Sequence, residues 1–206
     1  MSKISILIAE DHAVVRAGVA ALLETEDDLS VVALARNGEE AIREAKRLRP
    51  RIVLSDLVMP KASGVAVAEA LSRELPDTRV IILTSFAASE GIAHALHAGA
   101  AGALMKTDDE QTLIQTIRRV AAGEQVISDE IKKLIQTDPP LPALTPRQRD
   151  ILESLSRGLT NRDIASQLGI RQDGVDRHVA TLLSKIGAAN RTEAVAIAIQ
   201  KQLLKI

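Results

Sequence analysis

Along the first 122 residues, short β-branched and aliphatic runs alternate with stretches whose apolar positions recur every three to four residues. KISILIA (3–9), SVVALA (30–35), RIVLSD (51–56), RVIILT (79–84) and AGALMK (101–106) read as strands. They are too uniformly apolar for a sheet with one face in water, so both faces need cover. Helical patterns fall between them, at about 12–25, 38–48, 63–74, 88–98 and 108–122. Five strand–helix units in succession predict an α/β fold with a doubly wound, five-stranded parallel sheet. The last helix is punctuated at both ends. Thr107 and Glu110 have capping-box spacing, Leu113, Ile114, Ile117 and Val120 form one face, and Gly123 stops it.

The pattern changes at residue 123. A short helical stretch near 129–136 leads into TDPPLPAL, whose three closely spaced prolines make a stiff, extended connection. Beyond it only helical patterns remain. Thr145, Pro146 and Gln148 supply an N-cap, a first-turn proline and a capping partner for a helix ending near Gly158. Thr160 with Asp163 starts a second helix ending at Gly169, a third runs from about 172 to 186, and Asn190 with Glu193 opens a fourth. A glycine-containing turn of about three residues between the second and third is helix-turn-helix spacing. The organisation expected is therefore an α/β domain over 1–122, a linker over 123–142, and a small all-α four-helix domain over 143–206.

Charge sharpens this division. The net charge of −1 combines 16 basic and 21 acidic residues over 1–142 with 10 basic and 6 acidic over 143–206. A basic tail on an acidic body points to a polyanionic partner for the tail. Zero cysteines exclude disulfides, thiolate metal sites and cysteine nucleophiles. Phe86 is the only aromatic residue, so the core must be aliphatic and stacking platforms for bases are excluded. No apolar run approaches the ~18 residues of a membrane helix, and a cytoplasmic location is expected.

Ligands of an open parallel sheet bind beyond the carboxyl ends of its strands, where strand order reverses. Glu10 and Asp11 follow the first strand, Asp56 ends the third, Thr84 the fourth and Lys106 the fifth. Clustered carboxylates repel unless a cation sits among them, and hard oxygen ligands favour Mg²⁺. A carboxylate beside Mg²⁺ can attack a phosphoryl group whose oxygens are neutralised by the metal and Lys106 and hydrogen-bonded by Thr84. The expected product is an aspartyl phosphate on Asp56.

With Glu10, Asp11, the DLVMP run containing Asp56 and Pro60, Gly64, Thr84 and Lys106, residues 1–122 resemble the receiver domain of bacterial two-component response regulators, which is flavodoxin-like. The resemblance implies that Mg²⁺ is bound by Asp11, Asp56 and the Val58 carbonyl, with Glu10 acting through water. It departs on the fifth strand, where receivers often carry an aromatic switch residue and this chain has Ala103. Phe86, near the rim, is not its equivalent.

Residues 144–204, through LTPRQRDIL, SRGLTNRDIASQLGI and VDRHVATLLSKIGAANRTEAV, resemble the LuxR-type (NarL/FixJ) helix-turn-helix domain. Val175, Val179, Leu182 and Ile186 form the buried face of the third helix. On the other face, Arg177 and Thr181 are the candidates to read bases. Thr160, Asn161, Arg171, Lys185 and Arg191 are candidates for phosphate contact, and His178 for a local structural role. Gly174, Val175 and Asp176 stand where the family usually has Thr-Val-Lys, and Gln148 replaces the usual Glu.

The resemblances imply a response regulator phosphorylated by a sensor histidine kinase. It would dimerise on activation, with Val195, Ala196 and Ile199 of the fourth helix as contact candidates, and bind double-stranded DNA. Such a receiver phosphorylates itself and is not a turnover enzyme. Two rivals are a protein-binding regulator whose operator recognition is weakened by Asp173 and Asp176, and an aspartyl-phosphate hydrolase. Hydrolases of that kind carry a second Asp two positions after the nucleophile; here that position is Val58.

Overall fold

The computed structural model describes residues 3–85, 89–142, 144–201, 203 and 204. Phe86 lies outside them. Two compact units divide the chain at residues 139 and 140.

The first unit is built on β1 (Ile4–Ala9), β2 (Leu29–Ala35), β3 (Ile52–Ser55), β4 (Arg79–Thr84), β5 (Gly102–Met105) and β6 (Val126–Ile127). All pair in parallel, in the order β2-β1-β3-β4-β5-β6. Its helices are α1 (Ala13–Glu24), α2 (Gly38–Leu48), α3 (Gly64–Glu74), α4 (Ser89–His97), α5 (Glu110–Ala121) and α6 (Asp129–Thr137).

Strand periodicity of two sorts the aliphatic residues onto two faces. Leu7, Val53, Ile82 and Ala103 pack with Ala41, Val67, Leu71, Ile92 and Ile131 on one face. Ile6, Ile8, Leu54, Ile81 and Leu104 pack with Leu23, Leu113, Ile117 and Val120 on the other. Strand order reverses between β1 and β3, so the loops after these two strands open onto one crevice.

Three expectations need correction. The sheet has six strands, not five, and residues 123–139 belong to the first unit instead of a linker. Val126 N donates to Ala101 O and Ser128 N to Ala103 O, which pairs β6 with β5, while Ile131 of α6 is fully buried. A two-residue strand is too short to show a period. The cap of α5 is Asp109, not Thr107. Asp109 accepts from Thr112 N at 2.8 Å, whereas the Thr107 hydroxyl donates to Glu130 at 3.3 Å.

The second unit holds α7 (Pro146–Ser156), α8 (Asn161–Leu168), α9 (Gln172–Ile186) and α10 (Arg191–Gln200). Thr145 with Gln148 and Thr160 with Asp163 form complete capping boxes. Gly169 and Gly187 end α8 and α9 at φ of 62° and 77°, in the left-handed region. Ile151, Leu152, Leu155, Ile164, Val175, Val179, Leu182, Ile186, Ala194 and Ala198 make the core. Val195 packs partly against it, while Ala196 and Ile199 are exposed.

Candidate functional sites

Asp56 sits immediately after β3, where its N–H donates to Ala9 O at 2.8 Å and so ties it to the end of β1. On the other side Gly64 N donates to Leu57 O at 2.9 Å, and a Cβ at Gly64 would collide with the Asp56 carbonyl. Glycine is therefore needed for the β3–α3 loop to close over Asp56. Glu10 and Asp56 are buried, and Lys106 reaches between them from the end of β5. Its Nζ lies 2.6 Å from Glu10 Oε2 and 3.0 Å from Asp56 Oδ2. Asp56 Oδ1 accepts from Leu57 N at 2.6 Å.

Burial pushes the Asp56 carboxyl above its ordinary value, reinforced by the Glu10 charge and opposed by Lys106 and the Leu57 N–H. For Lys106, burial acts to lower the ammonium, but the hydrogen bonds to Glu10 and Asp56 outweigh it and hold it above its usual range. The two shifts favour opposite charge states: burial favours the neutral carboxyl of Asp56, while the carboxylate partners of Lys106 favour its charged form.

Glu10, Asp11, His12 and Asp56 each offer a ligand atom, all within 4.8 Å of one another. Asp11 Oδ1 is shut off from solvent yet accepts no hydrogen bond. His12 Nδ1 is 2.9 Å from it, an ion-pair contact without hydrogen-bond geometry, and 3.1 Å from Glu10 Oε1. A sequestered carboxylate oxygen without a donor, among three converging ligand groups, fits a hard divalent cation.

Thr84 is fully buried at the end of β4, and its carbonyl accepts from Lys106 N at 2.8 Å. The two phosphoryl-contact candidates are thus locked in adjacent strand ends. Ala103 is fully buried, paired with Ile82 and Ile127, so no aromatic side chain occupies the switch position. Val58 is exposed on the loop after Asp56. Two contributors were missed from the sequence, Arg16 and His12. Arg16 Nη1 donates to Glu10 O at 2.6 Å and to Asp11 O at 3.4 Å, bracing the acidic loop from α1. Its signal was available: it is the lone basic residue in the helix AVVRAGVAALLE, whose other charged residue, Glu24, stands at the far end.

In the second unit, Arg177 and Thr181 lie one turn apart on the exposed side of α9. The Thr181 hydroxyl donates back to Arg177 O at 2.9 Å. Arg171 precedes α9 without capping it, and its Nε donates to Asp173 at 3.1 Å. Thr160, Asn161 and Arg191 come together. Arg191 Nη2 donates to Leu159 O at 3.0 Å and to Asn161 Oδ1 at 3.3 Å. Asp176 joins them, accepting from Asn161 Nδ2 at 2.7 Å. Lys185 does not. It is partly buried and its Nζ donates to Gln148 at 3.3 Å, because Gln148 occupies the inner side of the α7 start.

A doubly wound sheet with an acidic pocket and lysine at its switch point, followed by a helix-turn-helix unit, defines a class of signalling protein, and comparison with known proteins agrees. Residues 6–118 match the response regulator receiver domain, and residues 142–198 match the bacterial regulatory proteins of the luxR family. The chain belongs to the response regulator family with a LuxR-type DNA-binding domain. It is 36% identical over 207 residues to the transcriptional regulatory protein LnrK of Bacillus subtilis, covering 93% of this chain and 94% of that one. It is 32% identical to the response regulator VraR of Staphylococcus aureus, covering 98% and 99%. Among solved structures it resembles the response regulator ChrA of a heme-sensing two-component system, at 32% identity and a TM-score of 0.61 over 99% of this chain and 100% of that one. Among the described residues, no helix is long and apolar enough to cross a membrane.

Proposed function

We propose that this chain accepts a phosphoryl group on Asp56 from a sensor histidine kinase, and that the modification controls its dimerisation and its binding to specific sites on double-stranded DNA. The observation that carries the reading is the buried Asp56 carboxylate, held between Lys106 Nζ at 3.0 Å and the Leu57 N–H at 2.6 Å, beside Glu10 and Asp11. A carboxylate so fixed is oriented for in-line attack, and little is left for the protein but positioning and charge neutralisation. Attack by an Asp56 oxygen on phosphorus forms the acyl phosphate and releases the donor, and the Lys106 ammonium offsets charge on the transferred group. Thr84 supplies a hydroxyl to the same group. Asp11, Asp56 and the Val58 carbonyl would hold Mg²⁺, with Glu10 acting through water, and the bound ion would neutralise phosphoryl oxygens.

The hydrolase reading loses support at Val58, which brings no carboxylate two positions after Asp56 and is 46% exposed. The chain acts as a phosphorylated switch in the cytoplasm and not as a turnover enzyme. For DNA, α9 enters the major groove with Arg177 and Thr181 toward base edges, while Arg171, Lys185, Arg191 and the Thr160–Asn161 helix start engage phosphates. One recognition helix per chain requires a dimer for an inverted-repeat site, and the exposed Ala196 and Ile199 of α10 are the contact offered by this unit. Sedimentation with Mg²⁺ and a small phosphodonor tests the reading. The wild type should shift from monomer to dimer and bind genomic fragments more tightly, and Asp56→Asn should do neither. A wild type that stays monomeric when phosphorylated and on DNA contradicts it.

A further inference from the structure

Of the two acidic residues on α9, Asp173 and Asp176, the second is not idle in the fold. Asp176 is exposed on α9, yet its Oδ1 accepts from Asn161 Nδ2 at 2.7 Å across the helix-turn-helix. Asn161 is the first residue of α8, following the Thr160 cap. The amide is committed at both ends, since its Oδ1 accepts from Arg191 Nη2 at 3.3 Å. That arrangement also fixes its orientation: only with nitrogen toward Asp176 and oxygen toward Arg191 are both contacts favourable. Arg191 in turn donates to Leu159 O at 3.0 Å. A continuous chain Asp176–Asn161–Arg191 therefore joins the starts of α8 and α10 to α9.

We propose that Asp176 is a positioning residue for DNA binding, which acts through Asn161: it takes one of the two Nδ2 hydrogens and fixes the direction of the amide, so that both donors turn to a DNA phosphate only when the Asp176–Asn161 hydrogen bond is given up. The inference rests on the reading of α8 and α9 as the DNA-binding pair. Hydrogen bonds to an ionised acceptor are stronger than neutral ones, so the internal bond competes with a phosphate on comparable terms. A carboxylate at this place also repels the DNA backbone.

The two contributions of Asp176 separate in a double-mutant cycle on the phosphorylated full chain, using fluorescence anisotropy with a duplex of random sequence across a salt series. If Asp176 acts through Asn161, Asp176→Ala should tighten binding about tenfold and steepen the salt slope by about one unit per subunit, as one more phosphate contact requires. In an Asn161→Ala background the same change should have an effect of about twofold or less on the same scale. Asp176→Asn, which keeps an acceptor for Asn161 but removes the charge, should fall between wild type and Asp176→Ala. An Asp176→Ala effect equal in both backgrounds overturns the proposal and leaves the DNA-binding reading intact, since simple repulsion does not need Asn161. Failure of the wild type and every variant to bind the duplex at low salt overturns both. Thermal unfolding of the four proteins of the cycle and of Asp176→Asn checks that each is folded, and the cycle reports whether the side chains are coupled in the free protein; no coupling there also overturns the proposal.

Discussion

Lys106 Nζ stands 2.6 Å from Glu10 and 3.0 Å from Asp56, a single ammonium shared by two buried carboxylates of adjacent strand ends. The lysine side chain is itself only 13% exposed, so water screens little of this arrangement. Removing it leaves Glu10 and Asp56 to repel each other in a poorly solvated pocket. Truncating one partner of a buried ion pair costs about 3–5 kcal/mol. Lys106→Ala should lower stability on that scale in urea unfolding without divalent ions, and Mg²⁺ should restore a larger share of stability to the variant than it adds to the wild type. A Lys106→Ala protein as stable as wild type would show that the carboxylates relax apart or take up protons at no cost.

Much of this pocket was legible from the sequence because its members sit at strand ends, and strand ends are the easiest boundaries to read in uniformly apolar runs. Glu10, Asp11, Asp56, Thr84 and Lys106 needed only the strand assignment and the rule that parallel sheets bind ligands at their carboxyl ends. What escaped depended on side-chain direction. Arg16 lies one helical turn beyond the acidic pair, but its bonds to the Glu10 and Asp11 carbonyls come from the way α1 folds back over the loop. The Thr107 cap failed because Asp109, two residues on, satisfies the same helix end from a better position. There a local pattern was correct in kind and lost to a competing partner.

Arg118 clamps the turn between α1 and β2 to α5, donating to Glu26 at 2.6 Å and to both oxygens of Asp28 at 2.7 and 2.8 Å. The Arg118 hydrogen bonds hold the Asp28 carboxyl below its ordinary value. A carboxylate lowered in the folded state adds stability that is fully present above its unfolded value and is lost as pH falls through the folded one. Arg118→Ala should therefore lower Tm at pH 7, and its deficit relative to wild type should shrink on acidification below about pH 4, where carboxyl groups take up protons. A deficit that stays constant down to pH 3 would assign the effect to packing of the arginine stem.

Arg177 is exposed on α9, where its backbone carbonyl accepts from the Thr181 hydroxyl at 2.9 Å. As a base reader it should discriminate between sequences, and its loss should cost specific binding about 1–3 kcal/mol per subunit while leaving random-sequence binding nearly unchanged. Competition binding with a selected site and a random duplex measures the ratio. Equal weakening on both would mean that Arg177 contacts phosphate.

The central claim is that Asp56 is the acceptor, and intact-mass spectrometry tests it most directly. After incubation with Mg²⁺ and a small phosphodonor, the wild type should gain one adduct of about 80 Da, the increment of a single phosphorylation. The adduct should be absent when the metal is chelated, and Asp56→Asn should remain at its unmodified mass with Mg²⁺ present. The same adduct on Asp56→Asn, at the wild-type yield, would contradict the assignment and the mechanism built on it.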